Sequence, residues 1–386
     1  MRIGLARDTS HYYIKLKRLL AFQRLVVAAV FVLTMVSGCV AVNTNVSRDD
    51  RLNQGLATDQ LSPEQLPLNY FQFFGSHNSY KTAISDPLMD QLRALNPKAA
   101  LALEYWHEPL ADQLDLGVRV LELDVFYDPE FADPAKALFG QGGAFPVLHV
   151  QNLDTGSHCA HLAICMEQIL SWARHAPGHE PLLISFNAKT QEIDYPGLVK
   201  PKTFDRVAWQ DFDALLNKGF GARLLKPAQV LSPNGPVWPS LAESRGKVLL
   251  LLDEGEEKFR DYLAAVARPA LFVNASLDDT LAAIQVLNDP VGDADEIAEA
   301  LDRGLLVRTR ADADTVEARA GDSSRRDAAF ASGAQFVSTD YYLPSRHFHT
   351  DYVVALPEGG SIRCNPVTPD RRARKLCQQA QLLLKK

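Results

Sequence analysis

The chain has 386 residues, 47% of them hydrophobic and 23% charged, and a formal net charge of −7. That hydrophobic share fills a core and sets aside a disordered chain, while the acidic balance sets aside binding to nucleic acid or anionic surfaces through charge alone. The length fits one large α/β barrel or two ordinary domains.

The first residues read as a targeting segment. Arg2, Arg7, Lys15, Lys17, Arg18 and Arg24 precede the apolar run Leu25–Leu33, which leads into Val36-Ser37-Gly38-Cys39. Small residues before a cysteine resemble the bacterial lipoprotein signal, in which cleavage exposes Cys39 for acylation. The run falls short of the ~20 residues that span a bilayer, so residues 1–38 are read as a signal peptide rather than an anchor. Val40 after the cysteine, where Gram-negative sorting would need Asp for retention, points to the outer membrane. The expected location is the cell envelope, lipid-anchored. Without residues 1–38 the formal charge is −12, so membrane residence would rest on acyl chains rather than a basic patch. Residues 39–66 are polar and aperiodic, a tether. A barrel is expected over 67–350, with a C-terminal extension over 351–386.

From Tyr70 onward short apolar runs alternate with helical patterns. Strands are expected at Tyr70–Gly75, Arg119–Phe126, Val147–Val150, Leu182–Asn187, Lys247–Asp253, Leu271–Asn274, Leu305–Thr309 and Gln335–Thr339. Helices are expected at Leu162–His175, Phe204–Lys218, Glu257–Ala267, Thr280–Leu287 and Ala294–Asp302. Eight strands over this span fit a single-domain (β/α)8 TIM-type barrel. A doubly wound open sheet is the alternative, but no glycine-rich phosphate loop follows the first strand. Cys159 with Cys165 and Cys364 with Cys377 are close pairs in an exported chain, read as two local disulfides.

In such barrels chemistry gathers at the C-terminal ends of the strands. His77 and Asn78 follow the first expected strand, and Glu122 and Asp124 end the second, on one side because they are two apart. Two carboxylates facing one way need a positive partner. Hard oxygens from Glu122, Asp124 and Asn78 suit calcium or magnesium rather than zinc; the alternative partner is a neighbouring arginine such as Arg119. His77 and His149 come from different segments and titrate in the range that acid–base catalysis uses.

The segments Gly75-Ser76-His77-Asn78-Ser79-Tyr80, Leu121-Glu122-Leu123-Asp124-Val125, Val147-Leu148-His149-Val150, Val307-Arg308-Thr309-Arg310-Ala311-Asp312 and Val337-Ser338-Thr339-Asp340-Tyr341 resemble the calcium-dependent phosphoinositide-specific phospholipase C family, within the PLC-like phosphodiesterases. The resemblance implies catalytic His77 and His149, with Asn78, Glu122 and Asp124 as ligands for calcium, magnesium being the alternative. It also implies attack on phosphorus by the inositol 2-hydroxyl, giving a cyclic inositol phosphate and diacylglycerol. Related enzymes usually add a carboxylate from the fourth expected strand, where this chain has Asn187. Asn187 can still offer a carbonyl oxygen, but it removes a negative charge and a candidate base, leaving that role to His77 or Glu122. Lys189 and Arg308 are read either as clamps for phosphate or head group, or as rim ion pairs.

The expected partner is a phospholipid or another phosphodiester at a membrane surface, met by a monomer. Two other readings stand beside this one. One is a glycerophosphodiester phosphodiesterase; the other is a lipoprotein whose weakened barrel binds lipid or a partner.

Overall fold

The computed structural model describes residues 62–129, 145–192, 200–357, 359–368 and 374–377. The expected signal peptide, Cys39 and the tether up to residue 61 lie outside the described residues. All described residues belong to one unit, Ala57–Lys386.

Eight parallel strands form the barrel: β1 Phe71–Ser76, β2 Val120–Val125, β3 Leu182–Ala188, β4 Val248–Leu252, β5 Leu271–Val273, β6 Ile284–Val286, β7 Leu306–Arg310 and β8 Phe336–Thr339. Their hydrogen-bonded order is β5-β4-β3-β2-β1-β8-β7-β6, which leaves a seam between β5 and β6. Side chains stitch that seam. The Asn274 side-chain oxygen Oδ1 accepts from the Val286 amide at 3.1 Å, and Gln285 Nε2 donates to the Ala275 backbone carbonyl at 2.6 Å. A short ninth strand, β9 (Arg363–Cys364), pairs antiparallel with the start of β1. Cys364 is bonded to Cys377, and Cys159 to Cys165.

Helices cover the outside. The helix Arg206–Phe220 starts where the Asp205 carboxylate accepts from the Ala208 amide, and stops at Gly221 with φ +53°. Its Asp213 is buried. One oxygen of that carboxylate accepts from the Tyr262 hydroxyl at 2.6 Å and from the Ala270 amide at 2.8 Å, tying two helices to the start of β5. Among the described residues no helix is long and apolar enough to cross a membrane.

Two expected elements are corrected. Val147–Val150 is not a barrel strand: it makes isolated antiparallel bridges, Val125 with Val147 and Val150 with Asp154, in an excursion after β2. The segment Thr280–Leu287, expected as a helix, holds β6 instead. A short apolar run reads alike in either state, and here three residues pair with β7.

The strands β1 and β2 approach closely at Gly75. It lies opposite Val120, and a Cβ built on it would stand 2.1 Å from the Val120 Cβ and 2.3 Å from its carbonyl oxygen. Gly75→Ala should therefore push β1 from β2 and destabilise the fold by about 1–3 kcal/mol or more. Thermal denaturation followed by circular dichroism checks this; an unchanged melting temperature would mean the two strands tolerate separation.

Candidate active site

Side chains alternate along a strand, so Val120, Glu122 and Asp124 share one face of β2, as do Leu183, Ser185 and Asn187 on β3 and Leu306, Arg308 and Arg310 on β7. The register sets Val120 beside Leu183, Glu122 beside Ser185 and Asp124 beside Asn187. The lower rung is apolar: Val120, Leu183 and Leu306 join Phe73, Leu251 and Phe272 in one buried cluster. The rungs above it carry charge. The inward ladder thus turns from hydrocarbon to ions on approaching the C-terminal mouth.

Three carboxylates there each meet a cation. Arg308 Nη2 bonds Glu122, and its Nη1 donates to Asn288 Oδ1 at 2.7 Å and lies 3.7 Å from Asp253. Arg310 Nη2 bonds Asp340 at 2.9 Å, and Lys189 Nζ lies 3.1 Å from Asp124. The arginine on the carboxylate pair is thus Arg308 from across the barrel, while the nearer Arg119 goes to Glu180 at 3.0 Å. Burial alone would raise the Glu122 carboxyl, but Arg308, His77 and Arg310 outweigh it and hold it below the usual range. Asp253 is pushed up to about 7 by burial, against the pull of Arg308.

His77 is fixed on three sides. Its Nδ1 is 2.8 Å from Asp340 Oδ1, its Nε2 is 3.3 Å from Arg310 Nη1 and 3.6 Å from Glu122 Oε1, and its amide bonds the Thr339 carbonyl. Burial raises the Asp340 carboxyl less than His77 and Arg310 lower it, so it stays well below the ordinary carboxylate range. The tautomer that satisfies Asp340 carries its proton on Nδ1 and leaves the Nε2 lone pair to accept from Arg310 Nη1.

Asn78 adopts φ +49°, a left-handed conformation that asparagine tolerates better than most residues. The loop is tied to β2, because the Ser79 amide donates to the Glu122 carbonyl and the Glu122 amide to Ser79 Oγ. Asn78 Nδ2 donates to the Tyr105 hydroxyl at 2.8 Å. Asn187 Nδ2 donates to Glu122 Oε1 at 3.1 Å. Asn78, Glu122, Asp124 and Asn187 thus gather at the ends of β1, β2 and β3.

His149 belongs to the excursion after β2. Its Nδ1 is 2.9 Å from Asp154 Oδ2, and the same oxygen is 3.1 Å from Lys81 Nζ, whose side chain is fully buried. The excursion is pinned by the Cys159–Cys165 bridge and by the Leu162 amide on the Phe145 carbonyl. Tyr80 links the two halves. Burial raises its phenol well above its ordinary value, helped by Asp124 and Asp154, so it stays protonated, and its hydroxyl donates to Asn78 Oδ1 at 3.4 Å.

Sequence reasoning did not assign Asp340, Arg310, Asp154 or Lys81. Asp340 and Arg310 had a signal, since both end strands of the motif set. Asp154 lies five residues past His149, and Lys81 is fully buried; neither carried one. Among the described residues no three His, Cys, Asp or Glu side chains cluster as a metal centre. The candidate donors are two carboxylates and two carboxamides, hard oxygens that fit calcium but with one charge fewer than a three-carboxylate site.

A family profile described as "Phosphoinositide phospholipase C, Ca2+-dependent" matches residues 66–366. Among curated proteins none matches the chain. The fold is similar to that of the calcium-dependent phosphoinositol-specific phospholipase C of a Pseudomonas sp. in its myoinositol complex. The two are 18% identical with a TM-score of 0.50, over 80% of this chain and 100% of that one. The Streptomyces antibioticus Ca2+-dependent phosphatidylinositol-specific enzyme is 19% identical with a TM-score of 0.45, over 72% of this chain and 95% of the other.

His107 supports the site from below. It is buried, its Nε2 donates to the His77 carbonyl at 2.6 Å, and it stacks on Tyr342 at 5.4 Å. Burial lowers it to about 4. The unfolded chain then takes up a proton below about pH 6.5 that the folded state refuses, so stability falls as pH drops from about 6.5 toward 4. His107→Gln should lose this part of the acid sensitivity. Urea denaturation at pH 7 and pH 5 checks it: the wild-type loss between the two should exceed the variant's, and equal losses would place the proton elsewhere.

Proposed function

The chain belongs to the calcium-dependent phosphoinositide phospholipase C family of phosphodiester hydrolases, and we propose that it cleaves phosphatidylinositol-type lipids to a cyclic inositol phosphate and diacylglycerol. The observation that carries this reading is the pair of histidine–carboxylate dyads, His77 with Asp340 and His149 with Asp154. One serves each end of a phosphoryl transfer.

In this reading His77 Nε2 takes the proton of the inositol 2-hydroxyl as its oxygen bonds to phosphorus. Asp340 keeps the ring in the receiving tautomer and stabilises the imidazolium that forms. Arg310, 3.3 Å from that nitrogen and held there by Asp340, sets a fixed positive charge beside the phosphoryl oxygen as charge builds there. His149, oriented by Asp154, gives its proton to the glycerol oxygen as the phosphorus–oxygen bond breaks. The cyclic diester and diacylglycerol account for every atom. When bound, calcium would be held by Asn78, Glu122, Asp124 and Asn187 and would supply Lewis acidity at the phosphoryl group. Glu122 is better suited to holding charge than to acting as base, because Arg308 beside it keeps its carboxyl below the usual range and so ionised.

The same reading takes lipid on Cys39 to hold a monomeric enzyme to a bacterial envelope membrane, its substrate being in the same plane. The leader and the small residues before Cys39 support this.

The test is turnover of phosphatidylinositol vesicles and glycerophosphocholine, with calcium and with chelator, the products followed by phosphorus NMR. Calcium-dependent appearance of a 1,2-cyclic inositol phosphate is expected. Turnover of glycerophosphocholine without any cyclic product would replace the proposal with the glycerophosphodiesterase reading. His77→Ala and His149→Ala should each lower kcat by about 10²–10⁴-fold, and wild-type rates in both would remove them from the mechanism.

A further inference from the structure

Resting on the calcium reading, we propose that Lys189 is a built-in competitor for the metal: it holds Asp124 until substrate phosphate offers it another partner, so calcium and phosphate bind with positive coupling.

The argument begins with charge. Among the described residues at the mouth, Glu122, Asp124 and Asp340 are each paired with a cation, Arg308, Lys189 and Arg310, and a fourth acid, Asp253, shares Arg308 at 3.7 Å. Within these three pairs the charges cancel. Sites that bind calcium tightly draw on an excess of negative ligands, and Asn187, where a carboxylate would add one, contributes none. A divalent ion entering alone would leave the cluster with two positive charges in a partly buried space.

The three cations are not equally free. The Arg308 side chain is 2% exposed and also bonded to Asn288, so it stays on Glu122. Arg310 is committed to Asp340 beside His77. Lys189 is different. Its side chain is 32% exposed, it follows the end of β3 on a backbone amide bonded to Val125, and its ammonium is a point charge on a flexible stem. It is the cation that can leave. A phosphodiester brings one negative charge to the mouth and gives the departing ammonium a new partner. The ion and the phosphate therefore each lower the cost of binding the other, and thermodynamic linkage requires the effect to be reciprocal.

Isothermal titration of calcium into the protein, with and without myo-inositol 1-phosphate, reads this without turnover. Wild type should bind calcium about tenfold more tightly when the inositol phosphate is present, within the usual range for coupled sites. Lys189→Met should bind calcium about tenfold more tightly than wild type without that ligand and gain little from it. Lys189→Arg, which keeps the charge, should behave like wild type, and equal melting curves confirm that the variants fold. If Lys189→Met binds calcium no better than wild type, or keeps the full coupling, the competitor role is wrong while the calcium reading stands. If neither protein binds calcium, both fall together.

Discussion

The bond between Arg308 and Glu122 is the constraint on which the mouth of the barrel depends. These residues belong to β7 and β2, three places apart in the strand order, so the pair reaches across the interior rather than along a neighbouring strand. An ion buried without its partner costs several kcal/mol, so strand register, the apolar rung below and the carboxamide of Asn187 beside it must all agree. The other pairs follow the same rule. Lys189 on Asp124 and Arg310 on Asp340 give those two acids a cation from another strand or strand end as well. The charged layer can exist because the rung beneath it, Phe73, Val120, Leu183, Leu251 and Phe272, is closed to water.

The two histidines are held by different means, and this separates the tasks they are suited to. His77 follows a barrel strand, with its carboxylate partner following the neighbouring strand β8. His149 rides on an excursion braced by a disulfide, with its carboxylate partner five residues on and a buried lysine sharing the same oxygen. Tyr105 lies between the two networks: its ring is 6.1 Å from that of His77, and Lys81 Nζ is 4.9 Å from its centroid. A rigid dyad suits a proton acceptor that must meet a fixed hydroxyl. A dyad on a separate segment suits a donor facing a leaving group that varies.

Much of this is legible in the sequence. Glu122 and Asp124 could be placed on one side of a strand from their spacing alone, and His77, Asn78 and the terminal residues of β7 and β8 from the habit of barrels to gather chemistry at strand ends. What stayed hidden was partnership. Nothing local to Glu122 indicates an arginine 186 residues away, because that neighbour is set by strand order. The run Val147–Val150 looked like a strand because it is apolar and β-branched. Pro146 just before it has no amide to donate to a ladder, and the run turns back on itself through Asp154. The strand β6 was hidden for the opposite reason. Ile284 and Val286 stand in a longer apolar stretch, and three residues are too few for a period to declare itself.

The seam between β5 and β6 divides the barrel mechanically. Its two strands are the shortest of the eight, and side-chain bonds from Asn274 and Gln285 cross it in place of a backbone ladder. Local opening of the hoop costs least where its strands are shortest and are held by side-chain bonds. That place is diametrically away from β1 and β2, where His77, Glu122 and Asp124 need fixed geometry. The barrel can flex at its back while its reacting groups keep their distances.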